Sequence, residues 1–439
     1  MIDINLIREN SKLVEQNIKK KGQDFKLPLV SKAKDLDENW RKLKIEADKL
    51  RAERNTISKE ISETKKMGGK TDILMKRAKD LPEEISKTES KMSLLEQDLS
   101  DTMKKIPNII SKHVPSGKDA SQNVEIKKGG KIKKFSFAPK THVELTESLG
   151  IADFDASSRV SGNGFYYLKN ELALLNQALI RFGIDFMRKK GYTCIETPLM
   201  LHGKEIYASM DKTAIEQSVY SIKDEDLNLI GTAEQSLLAM HTGQTIPEWE
   251  LPKKYFSYSM CFRKEVGAHG INEKGLWRTH QFNKIEQFIF CKPEDSEKIY
   301  DELLKNSEEI LKTLELPYRV LEICTGDLAD WKFRSADLEV YRPTTKEYGE
   351  VMSLSNCTDY QARKLGIKCL DRQGNKRILH TLNDTALATS RILVAILENF
   401  QEKDGSIKIP KSLWKYTGFK EIKSKKTHKK EKPKKNKKK

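Results

Sequence analysis

Leu36, Leu43, Leu50 and Ile57 recur every seven residues, and Trp40, Ala47 and Ile61 fill the interleaved series, with Arg54 as its one polar member. The positions between them are mostly Lys, Arg, Glu and Asp, so the segment reads as a charged helix with one apolar seam. The pattern stops at Met67-Gly68-Gly69-Lys70, a turn signal. A second heptad series then runs through Ala78, Ile85, Met92, Leu99 and Ile106, with Leu74, Leu81 and Leu95 as its companions and Thr88 interrupting. Two such helices joined by Gly-Gly form an antiparallel coiled-coil arm, each helix of roughly 35 residues being ~50 Å long at about 1.5 Å per residue. Pro82 predicts a kink or a late start of the second helix, which should end before Pro107. An arm of this kind is either a dimerisation or spacer coil, or a rigid probe that reaches a large ligand. The heptads leave both readings open.

The rest of the chain differs in character. After Ile106 come Pro107, Pro115, Gly117, Gly129 and Gly130, a connector composition. Beyond it helices and strands mix: an amphipathic helix over Glu171–Lys190, a short strand over Thr193–Pro198, and strand-like runs at Tyr255–Glu265, Asn283–Phe290 and Arg319–Ile323. The spacing of Tyr255–Glu265 and Asn283–Phe290 suggests a hairpin, hence an antiparallel sheet flanked by helices and an α+β class. The expected division is a helical arm domain over residues 1–110, a linker over 111–140, a catalytic domain over 141–422 and a Lys-rich segment over 423–439. That last segment carries +10 of the formal net charge of +17, so it should be disordered and favour a polyanionic partner. With 439 residues the chain can bury two cores. No apolar run nears the ~20 residues of a membrane span. The start, Met1-Ile2-Asp3, has no basic-then-apolar leader. Six cysteines, none in a CxxC pair, point to a reducing cytoplasm and away from a zinc or redox motif.

Chemistry concentrates in one stretch. In a strand, alternate side chains share a face, so Arg263 and Glu265 should point the same way. A loop with Gly267, Gly270 and Gly275 follows, and the chain returns through Arg278-Thr279-His280-Gln281-Phe282 into Asn283-Lys284-Ile285-Glu286, where Phe282 and Glu286 share a face. If the two strands pair, one surface holds a guanidinium, an aromatic ring and two carboxylates. That set suits a phosphate, a base and an amine. It equally suits a surface hairpin laced with ion pairs. The sequence holds neither GxxxxGK[ST] nor a GxGxxG after a strand, so a nucleotide site must be of another kind.

Phe262-Arg263-Lys264-Glu265 through Phe282 resembles motif 2 of the class II aminoacyl-tRNA synthetases. Gly191-Tyr192-Thr193-Cys194-Ile195-Glu196-Thr197-Pro198 is similar to their motif 1, whose proline lies at the dimer interface. Asn383-Asp384-Thr385-Ala386-Leu387-Ala388-Thr389-Ser390-Arg391 resembles motif 3. Thr232-Ala233-Glu234, Ser355-Asn356-Cys357-Thr358-Asp359-Tyr360-Gln361-Ala362-Arg363 and the N-terminal arm resemble the seryl branch. The segment Trp414–Phe419 resembles archaeal members. The chain departs from many relatives where they carry Arg-Asp-Thr-Arg and it reads Ile271-Asn272-Glu273-Lys274.

The resemblance implies activation of serine with ATP and its transfer to tRNA(Ser). It leaves open whether tRNA(Sec) is charged as well. The catalytic residues it implies are Arg263, Glu265 and Arg391. Arg263 would bridge the serine carboxylate and the ATP α-phosphate, and Phe282 and Arg391 would enclose adenine. Thr232, Glu234, Glu286 and Asn383 are carried over to serine. Lys264, Thr279, His280, Gln281, Val351 and Met352 are carried over to the ATP-binding segments. Glu350 and Ser353 match a pair that holds Mg2+ with ATP, and no zinc is expected. The resemblance also implies a homodimer. His280 invites a general-base role, but the serine carboxylate is already ionised and activation needs none. A non-catalytic paralogue that only binds RNA would be expected to lose Arg263, Glu265 or Arg391, and all three are present. Thr232 with Gln235 also reads as a capping box. An arm that only grips tRNA should be replaceable from Ser31 to Ile106 without loss of serine activation.

Overall fold

A computed structural model describes residues 1–265 and 274–423. The loop positions Ile271, Asn272 and Glu273 and the Lys-rich segment beyond Lys423 lie outside the described residues. The first three helices are α1 (Ile4–Lys20), α2 (Leu27–Lys66) and α3 (Asp72–Met103). At 40 residues α2 is ~60 Å long. The two heptad seams face each other: Ala47, Ile57, Leu81, Ile85 and Thr88 are buried, and Leu36, Leu43, Leu50, Met92, Leu95 and Leu99 are half-buried. Thr88 is tolerated because its hydroxyl donates to the Glu84 carbonyl at 3.0 Å. Arg54 is exposed. At that level the neighbouring Glu53 instead accepts both Nε (2.7 Å) and Nη2 (3.0 Å) of Arg77. Gly68 takes a left-handed φ of 72° in the turn, and a Cβ on Gly69 would lie 2.7 Å from Thr64 Cγ2.

The late start that Pro82 could have marked is not found, since α3 starts at Asp72 and runs through it. Pro82 lies on the exposed face while Leu81 beside it is fully buried. The carbonyl it deprives of a partner is thus on the hydrated side, and the seam holds the helix together. The base of the arm also departs from a free-standing probe. Val30, Ala33, Met103 and Ile106 form one core with α1 and with Tyr360 from the far half of the chain. The Tyr360 hydroxyl donates to the Ile106 carbonyl at 3.0 Å. A cut from Ser31 to Ile106 would therefore tear this core.

The second half is built on eight strands: β1 (Val124–Gly129), β2 (Thr193–Cys194), β3 (Lys253–Phe262), β4 (Gln281–Cys291), β5 (Tyr318–Glu322), β6 (Arg334–Arg342), β7 (Glu347–Thr358) and β8 (His380–Ala388). Their order across the sheet is β1-β5-β6-β7-β8-β4-β3-β2. Every pairing is antiparallel except β2 with β3. The stretch read as connector thus also supplies an edge strand.

One face of the sheet is covered by α4 (Asn170–Lys189), α6 (Ser296–Thr313) and α7 (Thr389–Asn399), which share a core with Ile285 and Ile289 of β4. Gly183 lets α4 approach, because a Cβ there would sit 2.4 Å from Ile285 Cδ1. The opposite side chains of β4, Phe288 and Phe290, pack under the short helix α5 (Ala233–Ala239). Further along that same face the sheet is left open as a cleft.

The candidate active-site cleft

The cleft has a volume of about 500 Å3 and is walled by β4, β7, β8, the start of α5, the start of α7 and the segment after β3. Thr232, Glu234, Arg263, Glu265, Thr279, Phe282, Glu286, Glu350, Val351, Ser353, Asn383 and Arg391 all line it. Lys264, His280, Gln281 and Met352 do not. Met352 is buried in the core, as alternation along β7 requires. The Lys264 ammonium lies over the Tyr220 ring. The His280 ring backs Arg263, its Nδ1 lying 2.9 Å from the Arg263 carbonyl oxygen and 3.1 Å from the Tyr220 hydroxyl.

Arg263 and Glu265 reach the cleft by a route other than strand alternation. The strand β3 ends at Phe262. Arg263 extends the pairing once, its N–H donating to the His280 carbonyl at 2.9 Å, and Lys264 N–H turns to Ser218. Glu265 then takes a left-handed φ of 52°, uncommon for a residue with a Cβ. Its carboxylate accepts from Arg278 Nη1 at 3.0 Å. The Arg263 guanidinium is fixed by Nε donating to the Gly231 carbonyl (3.1 Å) and by stacking over Phe282, 5.3 Å from the ring centroid. It therefore stands between the aromatic end of the cleft and the turn that begins α5.

That turn is capped by Thr232, whose hydroxyl accepts from Glu234 N–H at 3.2 Å. The reciprocal half of a capping box is absent, because Gln235 Oε1 accepts from Gly231 N–H instead (2.9 Å). Glu234 lies deep in the cleft, where burial, and next the charge of Glu286, push its carboxyl up to about 7. Asn383 Nδ2 donates to it at 3.0 Å. Glu286 pairs with Lys284 at 2.5 Å, their side chains only 2% and 6% exposed. Same-face alternation with Phe282 and Glu286 could have marked Lys284 in the sequence. No local pattern marks Trp277, Trp331 or Lys332, and Gln361 lies in the Ser355–Arg363 motif, which carried no role for it.

At the other end Arg391 donates through Nη1 to the Glu350 carbonyl (2.8 Å) and through Nε to the Trp277 carbonyl (3.3 Å), and pairs with the Glu350 carboxylate at 3.3 Å. Burial raises the Glu350 carboxyl, but Arg391 and Arg263 outweigh it and hold the group below its ordinary value. Gly349 is required here, since a Cβ would lie 2.3 Å from Trp277 Cζ2. Thr279 Oγ1 is buried beside the cleft with no hydrogen-bond partner among the described residues. Two well-held guanidiniums, an aromatic face and a carboxylate-lined end suit an anionic nucleotide beside a small amine.

Comparison with known proteins matches both the arm and the cleft-bearing half. Residues 1–110 match the family described as the seryl-tRNA synthetase N-terminal domain, and residues 218–400 match the tRNA synthetase class II core domain (G, H, P, S and T). The serine–tRNA ligase of Dictyoglomus turgidum is 44% identical over 427 residues, which span 97% of this chain and 100% of that one. The crystal structure of seryl-tRNA synthetase from Pyrococcus horikoshii complexed with ATP superposes with a TM-score of 0.91 at 41% identity, covering 97% of this chain and 100% of the other. The cytoplasmic serine–tRNA ligase of Naegleria fowleri in complex with AMP gives 0.86 at 32% identity, over 97% and 99% of the two chains. Since both the arm and the cleft-bearing half are matched, and relatives align nearly end to end, this chain belongs to the seryl-tRNA synthetase family.

Proposed function

We infer that the chain is a serine–tRNA ligase, which activates L-serine with ATP and transfers it to tRNA(Ser). The observation that carries this reading is the single cleft in which Thr232, Glu234, Glu286 and Asn383 meet Arg263 and Arg391. In the first step a serine carboxylate oxygen attacks the ATP α-phosphorus, and the bond to the β-phosphate oxygen breaks. Seryl-adenylate and pyrophosphate result. In the second, the terminal ribose hydroxyl of tRNA attacks the seryl carbonyl carbon, AMP leaves and the hydroxyl proton is lost. Arg263, locked between Gly231 and Phe282, is placed to join the two anions of the first step and to stabilise the charge that develops on phosphorus. Phe282 and Arg391 receive the base, Glu234 and Thr232 the serine ammonium, and Glu286 and Asn383 the serine side.

The resemblance also brings Mg2+ with the nucleotide. The donors fit it: Asp337 and Ser353 are directly opposed across β6 and β7, and Glu350 lies on the same ladder. Burial and the nearby charge of Glu350 raise the Asp337 carboxyl, a strain that a cation relieves. Glu350 and Ser353 would hold the ion, which when bound neutralises phosphate charge.

We further propose that residues 1–110 form the tRNA-gripping domain and 141–422 the catalytic domain, and that the chain works as a homodimer in the cytoplasm. No described helix is long and apolar enough to cross a membrane. The test is ATP–pyrophosphate exchange with each amino acid in turn, followed by charging of tRNA(Ser). Exchange dependent on serine alone, with charging, is expected. Exchange absent with serine, or driven equally by another amino acid, overturns the reading. The same charging assay with tRNA(Sec) decides whether it is a second acceptor.

A further inference from the structure

One wall of the cleft comes from neither strand nor helix. Trp331 and Lys332 line it from the segment that leads into β6. The Lys332 ammonium donates to Ser335 Oγ at 3.1 Å. Ser335 in turn donates to the Leu354 carbonyl (2.7 Å) and lies 3.4 Å from Ser355 Oγ, whose strand position is opposite Asn383. The cation is thereby set inside the cleft beside the strand position opposite Asn383, where its charge reaches Glu234 and also Asp337 and Glu350.

The segment that presents Lys332 is gripped by the base of the arm. Lys21 donates to the Leu328 carbonyl, and Lys26 pairs with the Asp330 carboxylate. Gln23 Nε2 donates to the same carboxylate at 2.8 Å. Asn108 N–H donates to the Asp330 carbonyl at 2.7 Å, and its Nδ2 to the carbonyls of Trp331 (3.2 Å) and Cys357 (2.9 Å). Asn108 is itself held by Asn17 of α1, whose Nδ2 donates to its carbonyl at 2.9 Å. A charged side chain on an irregular segment would ordinarily swing into water. Here Lys21 and Asn108 hold the backbone of that segment, Lys26 and Gln23 hold its Asp330 carboxylate, and Asn17 steadies Asn108.

We propose that Lys332 is a positioning residue for the amino-acid substrate: its ammonium balances the carboxylates at the serine end and keeps Glu234 set to receive the serine ammonium, and the arm base holds it there. This rests on the serine reading above. The charge count supports it. Burial and Glu286 act against an ionised Glu234, while Gln361, Lys284 and Lys332 act for it. Removing Lys332 leaves Glu234 and Glu286 with Lys284 as the remaining ammonium of the two, and also takes a favourable charge from Asp337 and Glu350.

The experiment is pyrophosphate exchange by the full-length chain, with KM for serine and for ATP measured separately in wild type, Lys332→Met, Lys332→Arg and Asp330→Asn. Lys332→Met is expected to raise KM for serine about tenfold with KM for ATP within about twofold, the size of a lost interaction with a charged group. Lys332→Arg should restore most of the loss. Asp330→Asn, which slackens the arm's hold without touching the cleft, should raise KM for serine by roughly two- to fivefold. The proposal is overturned if Lys332→Met leaves KM for serine within about twofold of wild type, if both KM values rise together, or if arginine rescues nothing. Wild type lacking serine-dependent exchange would instead dismiss the parent reading, so the two failures are distinct.

Discussion

Gln361 donates through Nε2 to Glu234 Oε1 at 2.7 Å, and Asn383 donates to the same oxygen at 3.0 Å. The two bonds orient the carboxylate and leave its second oxygen to accept from a substrate ammonium. The Gln361 bond also partly offsets the burial that brings the group to about 7. Only the ionised form accepts a proton-bearing amine. Serine kcat/KM in pyrophosphate exchange should therefore fall as pH drops through 7, approaching tenfold per unit at its steepest. Glu234→Gln should lower kcat/KM and flatten this limb. A wild-type profile level from pH 6 to 8 (about one unit either side of the group's value) would remove Glu234 from the role.

Arg263 offers a sharper test of the chemical step. Its contacts in the structure are the Gly231 carbonyl and the Phe282 face, neither of which becomes a buried unpaired charge when it is removed. Arg263→Ala should therefore fold, and lose roughly 3 kcal/mol or more of transition-state stabilisation, a drop of at least about a hundredfold in kcat. Exchange within about threefold of wild type in a folded variant would sink the assignment.

The arm, the antiparallel sheet and the shared face of Phe282 and Glu286 are legible in the sequence because each rests on a local period, seven residues or two. Thr232 is legible as a cap because that signal too is local, a Thr at the head of a helical run. What is not legible is what distant segments contribute. Gln361 and Trp277 act through neighbours more than 100 residues away, and Trp331 and Lys332 line the cleft from an irregular segment held by the far N-terminal helices. Alternation also places Arg263 and Glu265 on one wall for a reason the fold does not use, since the strand has already ended at Phe262. Pro82 does not delay the start of α3, because the buried seam overrides its low helix propensity.

Asp384 gives a stability prediction with a definite sign. It faces the helical side of the sheet, fully buried, with Ser307 Oγ donating at 2.5 Å and Gln287 Nε2 at 3.0 Å to Oδ2, while Oδ1 has no partner among the described residues. Burial drives its carboxyl well above the ordinary value. A carboxyl raised in the folded state contributes fully below its unfolded value, and the contribution fades as pH rises above that value. Asp384→Asn cannot ionise and keeps the shape. Its melting temperature should exceed that of wild type by more at pH 8 than at pH 5, with a gain of about 1 kcal/mol or more at the higher pH. Equal shifts at both pH values would mean the carboxyl is not the cause.

The arm and the Lys-rich segment should play separable parts in tRNA binding, and the fold says where the arm can be cut. Arg51 pairs with Glu89 across the hairpin at 2.6 Å, so residues 47 and 92 stand near one another on the two helices. The core of Val30, Ala33, Met103 and Ile106 lies well below that level. Replacing residues 47–92 with a short turn removes the shaft and spares the base that holds Asp330 and Trp331. Serine-dependent pyrophosphate exchange should stay near wild type in that variant, while charging of tRNA(Ser) is lost. Replacing Ser31–Ile106 instead should impair both, because it opens the core under Tyr360. The Lys-rich segment carries +10, so its contacts should be diffuse and electrostatic. Each phosphate neutralised on a duplex steepens the log–log salt dependence of binding by about 0.9. Truncation after Ile422 should therefore weaken tRNA binding mainly at low salt and make that slope shallower, leaving the preference for tRNA(Ser) over other tRNAs little changed. Binding measured at several salt concentrations with both kinds of tRNA separates the two parts. If truncation abolishes the preference, or the shaftless chain still charges tRNA(Ser), the division is wrong.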